Sequence, residues 1–247
     1  MRTPFRLLIA GSLVCGCASK MPTGVVAAEP GQKLQSVPGP FAELGPETDP
    51  DTAIIKACPV VMGLPNAYVP VGPSDQNFKT YWNVSAEYCA WQYSPDGRQI
   101  WTSLFATSAV QSDPSMRTCD LPPRVVDSRY PGAEMLLLTV IHNHVFRDPP
   151  DNKLSTHDFD YLDNMVGQHH TRMAEGAEDV VFPEVNGKPV PMRVVAFFGR
   201  TTPSGVVECA GFFEYTWHAP QVLRATQDTD GRWHKEPVGF PRPSDRN

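Results

Sequence analysis

Met135-Leu136-Leu137-Leu138-Thr139-Val140-Ile141-His142-Asn143-His144 is the stretch that decides the fold, and Leu154-Ser155-Thr156-His157-Asp158 closes the segment after it. Its first seven residues are a nearly continuous aliphatic run, the pattern of a strand buried on both faces. Side chains alternate along a strand, so His142 and His144 share one face at its C-terminal end, where both imidazoles can aim at one point. Ser155-x-x-Asp158 reads as a helix start, with Phe159, Leu162, Met165, Val166 and His169 following at helical spacing. With Ser155 at the N-cap and Asp158 facing the positive helix end, the pair forms a capping box. If the histidines hold a metal, Asp158 is also the best-placed third ligand, because catalytic zinc takes three protein ligands and keeps a fourth position open. Spacing alone leaves both roles available.

Upstream, residues 85–93 interleave aromatic and polar side chains, Ser94-Pro95-Asp96-Gly97 is a turn, and residues 98–105 resume strand character. This predicts a hairpin carrying Glu87 and Cys89. Downstream, the apolar runs 180–182 and 192–198 flank Asn186-Gly187, a strong hairpin signal, and residues 205–217 supply another strand. Between them these patterns imply an α/β fold, a mixed sheet packed by at least one substantial helix. Residues 57–75, cut by Pro59, Pro65, Pro70 and Pro73, read as irregular structure or an edge strand. Residues 111–129 and 147–153 read as loops.

The N-terminus is a targeting signal by its pattern. Arg2 and Arg6 precede an apolar run, residues 7–14, with the length of a secretory core region and too short to span a bilayer. Val14-Cys15-Gly16-Cys17 resembles the lipobox of bacterial lipoproteins, which implies lipidation of Cys17. Cleavage after Val26-Ala27-Ala28, giving a soluble periplasmic or secreted protein, is the alternative. The chain then divides into a signal at 1–17, a Pro-, Gly- and acid-rich flexible linker at 18–55, a folded domain at 56–225 and a polar C-terminal tail at 226–247. Export leaves Cys58, Cys89, Cys119 and Cys209, an even number in an oxidising compartment, so up to two disulfides are expected. Four cysteines allow three pairings, and spacing does not choose among them.

A formal charge of -6 argues against nucleic acid and anionic membrane surfaces as main partners. The letters His142-Asn143-His144 do not make an HNH nuclease, whose named residues are dispersed over a larger motif. The chain also lacks H-E-x-x-H, the H-x-E and P-C-x-x-C pair of zinc deaminases, and G-x-S-x-G.

Glu87, then His142-x-His144, then Ser155-x-x-Asp158 resembles the JAMM motif of JAB/MPN-domain metalloproteases, and the hairpin and hydrophobic strand around it look most like the bacterial exported branch. The resemblance covers residues 85–170. Two departures stand out: the ten residues 145–154 form a longer loop than the usual one, and Val145 stands where proline is common. The resemblance implies a JAB/MPN-like, cytidine-deaminase-like layered fold in which His142, His144 and Asp158 hold Zn2+. It implies Glu87 as the general base that takes the proton of the attacking water, and Ser155 as the hydrogen-bond donor to the oxyanion. The implied function is a zinc-dependent peptidase or isopeptidase of the cell envelope, acting on a peptide or protein and anchored in the membrane through Cys17. An exported binding or scaffold lipoprotein that keeps the domain without activity is the alternative. Glu134, His157, His169, His170, His218 and His234 have no place in the pattern.

Overall fold

The computed structural model describes residues 24–37, 43–72, 74–108, 119–145, 154–169, 171–174 and 177–239. Cys17 and the rest of the expected signal, His170, and most of the segment between His144 and Leu154 lie outside the described residues.

Nine strands form one sheet: β1 (Leu34–Ser36), β2 (Cys89–Ser94), β3 (Trp101–Thr102), β4 (Ala106–Ser108), β5 (Leu136–Asn143), β6 (Arg193–Thr201), β7 (Val207–Thr216), β8 (Val222–Gln227) and β9 (Trp233–Val238). Their order is β9-β8-β7-β6-β5-β2-β4-β1, with β3 paired to β2. The buried aliphatic strand β5 sits near the middle, antiparallel to β2 and parallel to β6, while the other pairs are antiparallel. Parallel neighbours need a crossover rather than a tight turn. The crossover from β5 to β6 contains α3 (Thr156–His169).

The two faces carry different layers. On one, Ile54, Ala57, Cys58 and Val61 of α1 (Pro50–Met62) pack with Ile141, Val195, Phe197 and Phe212. On the other, Leu162, Met165 and Val166 of α3 pack with Trp91, Val140, Val194 and Ala196. A short α2 (Phe78–Val84) buries Trp82 against Val69 and Val145 beside the C-terminal end of β5. The mixed sheet packed by helices is as the sequence implied. Hairpin pairing of Tyr93 with Trp101, and the turn at Asn186 and Gly187, both with positive φ, also match. The latter joins only Glu184–Val185 to Lys188–Pro189, and the long strand β6 pairs elsewhere.

Three expectations need correction. Residues 57–62 are helix, not irregular: Asp49 caps α1 by accepting from Thr52 N at 2.7 Å, and Pro50 stands at its start. Pro59 lies on the exposed side, and the proline cost of about 3 kcal/mol is outweighed by burying Ile54, Val61 and Met62 at about 1.5–3 kcal/mol each. The expected linker at 18–55 is also too long. Val25–Val26 pairs with Val125–Val126, β1 lies in the sheet, and α1 begins at Pro50. Finally, the polar segment after residue 226 holds β9 and the end of β8; an edge strand exposed on most of its length does not show an alternating apolar pattern.

Two disulfides tie the layers. Cys58–Cys209 joins α1 to β7, and Cys89–Cys119 joins β2 to the segment before Val125–Val126. Such cross-links typically contribute about 2–4 kcal/mol each and belong to chains that fold outside the reducing cytoplasm. No helix among the described residues is long and apolar enough to cross a membrane.

The first described residues are integral to the domain. Gly24 N donates to Tyr93 Oη at 2.9 Å, Ala27 N donates to Arg124 O at 2.9 Å, and Val26 is buried in the α3-side core. A Cβ on Gly24 would come within 2.5 Å of Tyr93 Oη, so the close approach needs glycine. Tyr93 in turn donates to Asp127 Oδ2 at 2.6 Å, and the Arg129 guanidinium closes on the same carboxylate. Cleavage after Ala28 would strip this segment. A chain beginning at Glu29 is expected to lose about 2–4 kcal/mol, or ~5–15 °C in Tm, relative to one beginning at Cys17; equal melting curves would refute that.

Candidate metal centre

Strand β5 delivers His142 and His144 as alternation requires, and the ends of the following segment are fixed. Val145 and Leu154 are both buried, and Val145 O accepts from Val69 N at 2.5 Å. α3 starts directly after, so Ser155 and Asp158 return to the end of the strand they left. The longer loop therefore does not prevent the motif from closing.

His142, His144 and Asp158 each place one ligand atom within 4.8 Å of the others. His142 Nε2 lies 3.2 Å from Asp158 Oδ1, and His144 Nε2 lies 3.7 Å from Asp158 Oδ2. A tetrahedral ion with bonds of about 2.0–2.1 Å separates its ligand atoms by about 3.3–3.4 Å, close to these spacings. Nε2 of His142 is buried and meets Asp158 Oδ1 at 3.2 Å without a well-aligned hydrogen bond. A metal ion bound by this nitrogen and the Asp158 carboxylate would satisfy both groups. The group could hold a metal ion, and two imidazoles with one carboxylate suit zinc or ferrous iron.

Asp158 caps the helix and faces the two histidines. Its Oδ2 accepts from Ser155 N at 2.5 Å and Ser155 Oγ at 2.8 Å, while Asp158 N approaches Ser155 Oγ at 3.3 Å. This is a reciprocal capping box, and it aims the carboxylate at the histidines. Burial pushes the Asp158 carboxyl up, but the facing His142 and His144 rings outweigh it and hold the group well below the usual carboxylate range. Asp158 is therefore ionised, as a ligand must be.

Glu87 lies in the segment between α2 and β2 and is partly buried. Cys89 pairs with His142, and Asn143 N donates to Tyr88 O at 3.3 Å, so the antiparallel pairing runs on past β2 toward Glu87 and His144, the next positions of the two segments. Asn143 holds it there. Its side chain points to the other face, accepts from Tyr88 N at 2.7 Å, and donates to Ala86 O at 3.1 Å and Ala67 O at 2.6 Å. Asn143 was not singled out from sequence. A buried amide between two exposed-looking histidines was the available signal.

The other candidates are elsewhere. His157 Nε2 pairs with Asp120 Oδ1 at 2.7 Å, a bond that raises the imidazole's pKa against the opposing effect of burial. His218 stacks on Trp217, His234 pairs with Asp228, and Glu134 precedes the far end of β5 and is exposed. A cleft of about 370 Å³ beside Leu136 and Phe182 is also at that far end, away from the histidines.

A scan against protein-family models, a search of the curated proteins and a search of the solved structures find no match for this chain. The protein is expected to bind about one divalent transition-metal ion per chain, and Asp158→Asn to weaken binding at least tenfold. Because imidazole ligands must be neutral, affinity falls as pH is lowered. Metal titration of the apo-protein at pH 7.5 and pH 5 checks both; equal binding by wild type and Asp158→Asn would exclude the assignment.

Proposed function

We propose that this chain is a zinc-dependent peptidase or isopeptidase of the cell envelope, related in mechanism to the JAMM metalloproteases, in a JAB/MPN-like fold. The convergence of His142, His144 and Asp158 on one point carries this reading. Glu87, one position beyond the paired Tyr88 and Asn143, favours hydrolysis over ferrous-iron oxygen chemistry, because a hydrolase needs a general base beside its nucleophile.

His142, His144 and Asp158 would hold the ion. A zinc ion bound there supplies Lewis acidity and a water whose pKa falls to about 7. Glu87 takes a proton from the attacking water and returns it to the departing amine, so that the amide C–N bond breaks with a neutral leaving group. Ser155 is an exposed residue whose hydroxyl donates to Asp158 Oδ2 at 2.8 Å in the free protein. Rotation about its χ1 turns the same donor toward the substrate carbonyl, where it stabilises the developing oxyanion.

Lipidation of Cys17 would leave residues 18–23, six in all, between the anchor and Gly24. Six residues span at most about 20 Å, so the catalytic domain works close to the membrane surface. Its substrates are amide bonds in peptides or proteins within that layer, on the periplasmic or outer side.

Glu87→Gln is expected to lower hydrolysis of a generic peptide library by about 10²–10⁴-fold while zinc stays bound. Ser155→Ala is expected to lower it less. Full activity in Glu87→Gln would rule out the general-base role, and loss of zinc in that variant would make Glu87 a ligand instead.

A further inference from the structure

Cys89 is the register partner of His142, so the Cys89–Cys119 disulfide lies on the metal face, one strand away from a ligand. The residues after Cys119 then touch α3 in succession. Asp120 Oδ1 pairs with His157 Nε2 at 2.7 Å, and Leu121 O accepts from Tyr161 Oη at 2.7 Å. Trp91 Nε1, from β2, donates to Pro122 O at 2.9 Å, and the Trp91 and Tyr161 rings lie 6.4 Å apart. The segment 119–122 is therefore a strut, fixed to β2 at both ends and bonded to the residues that flank Asp158 in the first turns of α3.

We propose that the Cys89–Cys119 disulfide positions Asp158, so that the metal centre closes fully only in the oxidised protein. This inference rests on the metal-centre reading. The reasoning is geometric: His142 and His144 are set by the sheet, but Asp158 is set by α3, whose start follows a long connection from β5. The strut is what refers the first turns of α3 to β2, the strand next to the histidines. Formation of the Sγ–Sγ bond transfers two electrons and two protons from the thiols to an external disulfide, which becomes a dithiol; this is the exchange that oxidising compartments supply. The cross-link Cys58–Cys209 lies across the other face, between α1 and β7, and touches none of these residues. It serves as an internal control.

The test is zinc and cobalt titration of the full mature chain, with the cobalt absorption spectrum as a report on ligand geometry. The double variant Cys89→Ala with Cys119→Ala is expected to bind 10–100-fold more weakly, the range typical of lost supporting contacts, with an altered cobalt spectrum. Cys58→Ala with Cys209→Ala is expected to lose thermal stability but keep its affinity within about threefold. Should the first double variant not fold, Tyr161→Phe and Asp120→Ala, which each remove one strut bond, are expected to weaken binding severalfold without a matching loss of stability. Unchanged affinity and spectrum in the Cys89/Cys119 variant, or in both point variants, overturns the positioning role alone. Equal losses in the two double variants also overturn it, since the effect would then follow stability. Failure of wild type to bind either ion overturns the metal centre and this inference with it.

Discussion

Parallel strands cannot be joined by a two-residue turn, and the pairing of β5 with β6 makes the rest of the site follow. The chain must leave β5, build a covering element and come back to the start of β6. α3 is that element, and its first turn opens beside the strand end where the chain departed. His142 and His144 on the strand and Asp158 on the helix meet there because of the crossover. Open α/β sheets place ligands at the carboxyl ends of their strands for the same reason.

What gathers at that point is a donor set that could hold a cation. A buried imidazole nitrogen and a buried carboxylate oxygen lie 3.2 Å apart, and the two rings hold that carboxyl well below the usual range. The capping box adds direction, since the hydrogen bonds from Ser155 that begin the helix also turn Asp158 toward the histidines. One short motif thus does helix capping and ligand orientation together. Asn143 adds a second coupling by binding Ala86 and Tyr88 on either side of Glu87, so the strand that carries His142 also fixes the backbone of the segment that carries Glu87.

Much of this was legible in the sequence. The aliphatic run of β5, the paired histidines, the Ser155-x-x-Asp158 start and the hairpin after Glu87 are local patterns, and local patterns survive without tertiary information. α1 was hidden by Pro59, although Asp49-Pro50 at its start is a capping signature. β9 was hidden because an edge strand has little apolar face to display. Neither the pairing of the four cysteines nor the strut from Cys119 to Pro122 could be read, because both depend on which strands become neighbours. The second role of Asp158 was readable as a possibility and needed three-dimensional distance to become a contact.

X-ray absorption at the zinc edge, on wild-type protein loaded with one equivalent of zinc, addresses the His142, His144 and Asp158 centre most directly. A first shell of two imidazole nitrogens and two further oxygens at about 2.0–2.1 Å, losing one imidazole in His142→Ala, is the expected result. A shell of oxygens alone, or one unchanged in His142→Ala and His144→Ala, would mean that the ion binds elsewhere and that these three residues form an ordinary buried ion pair.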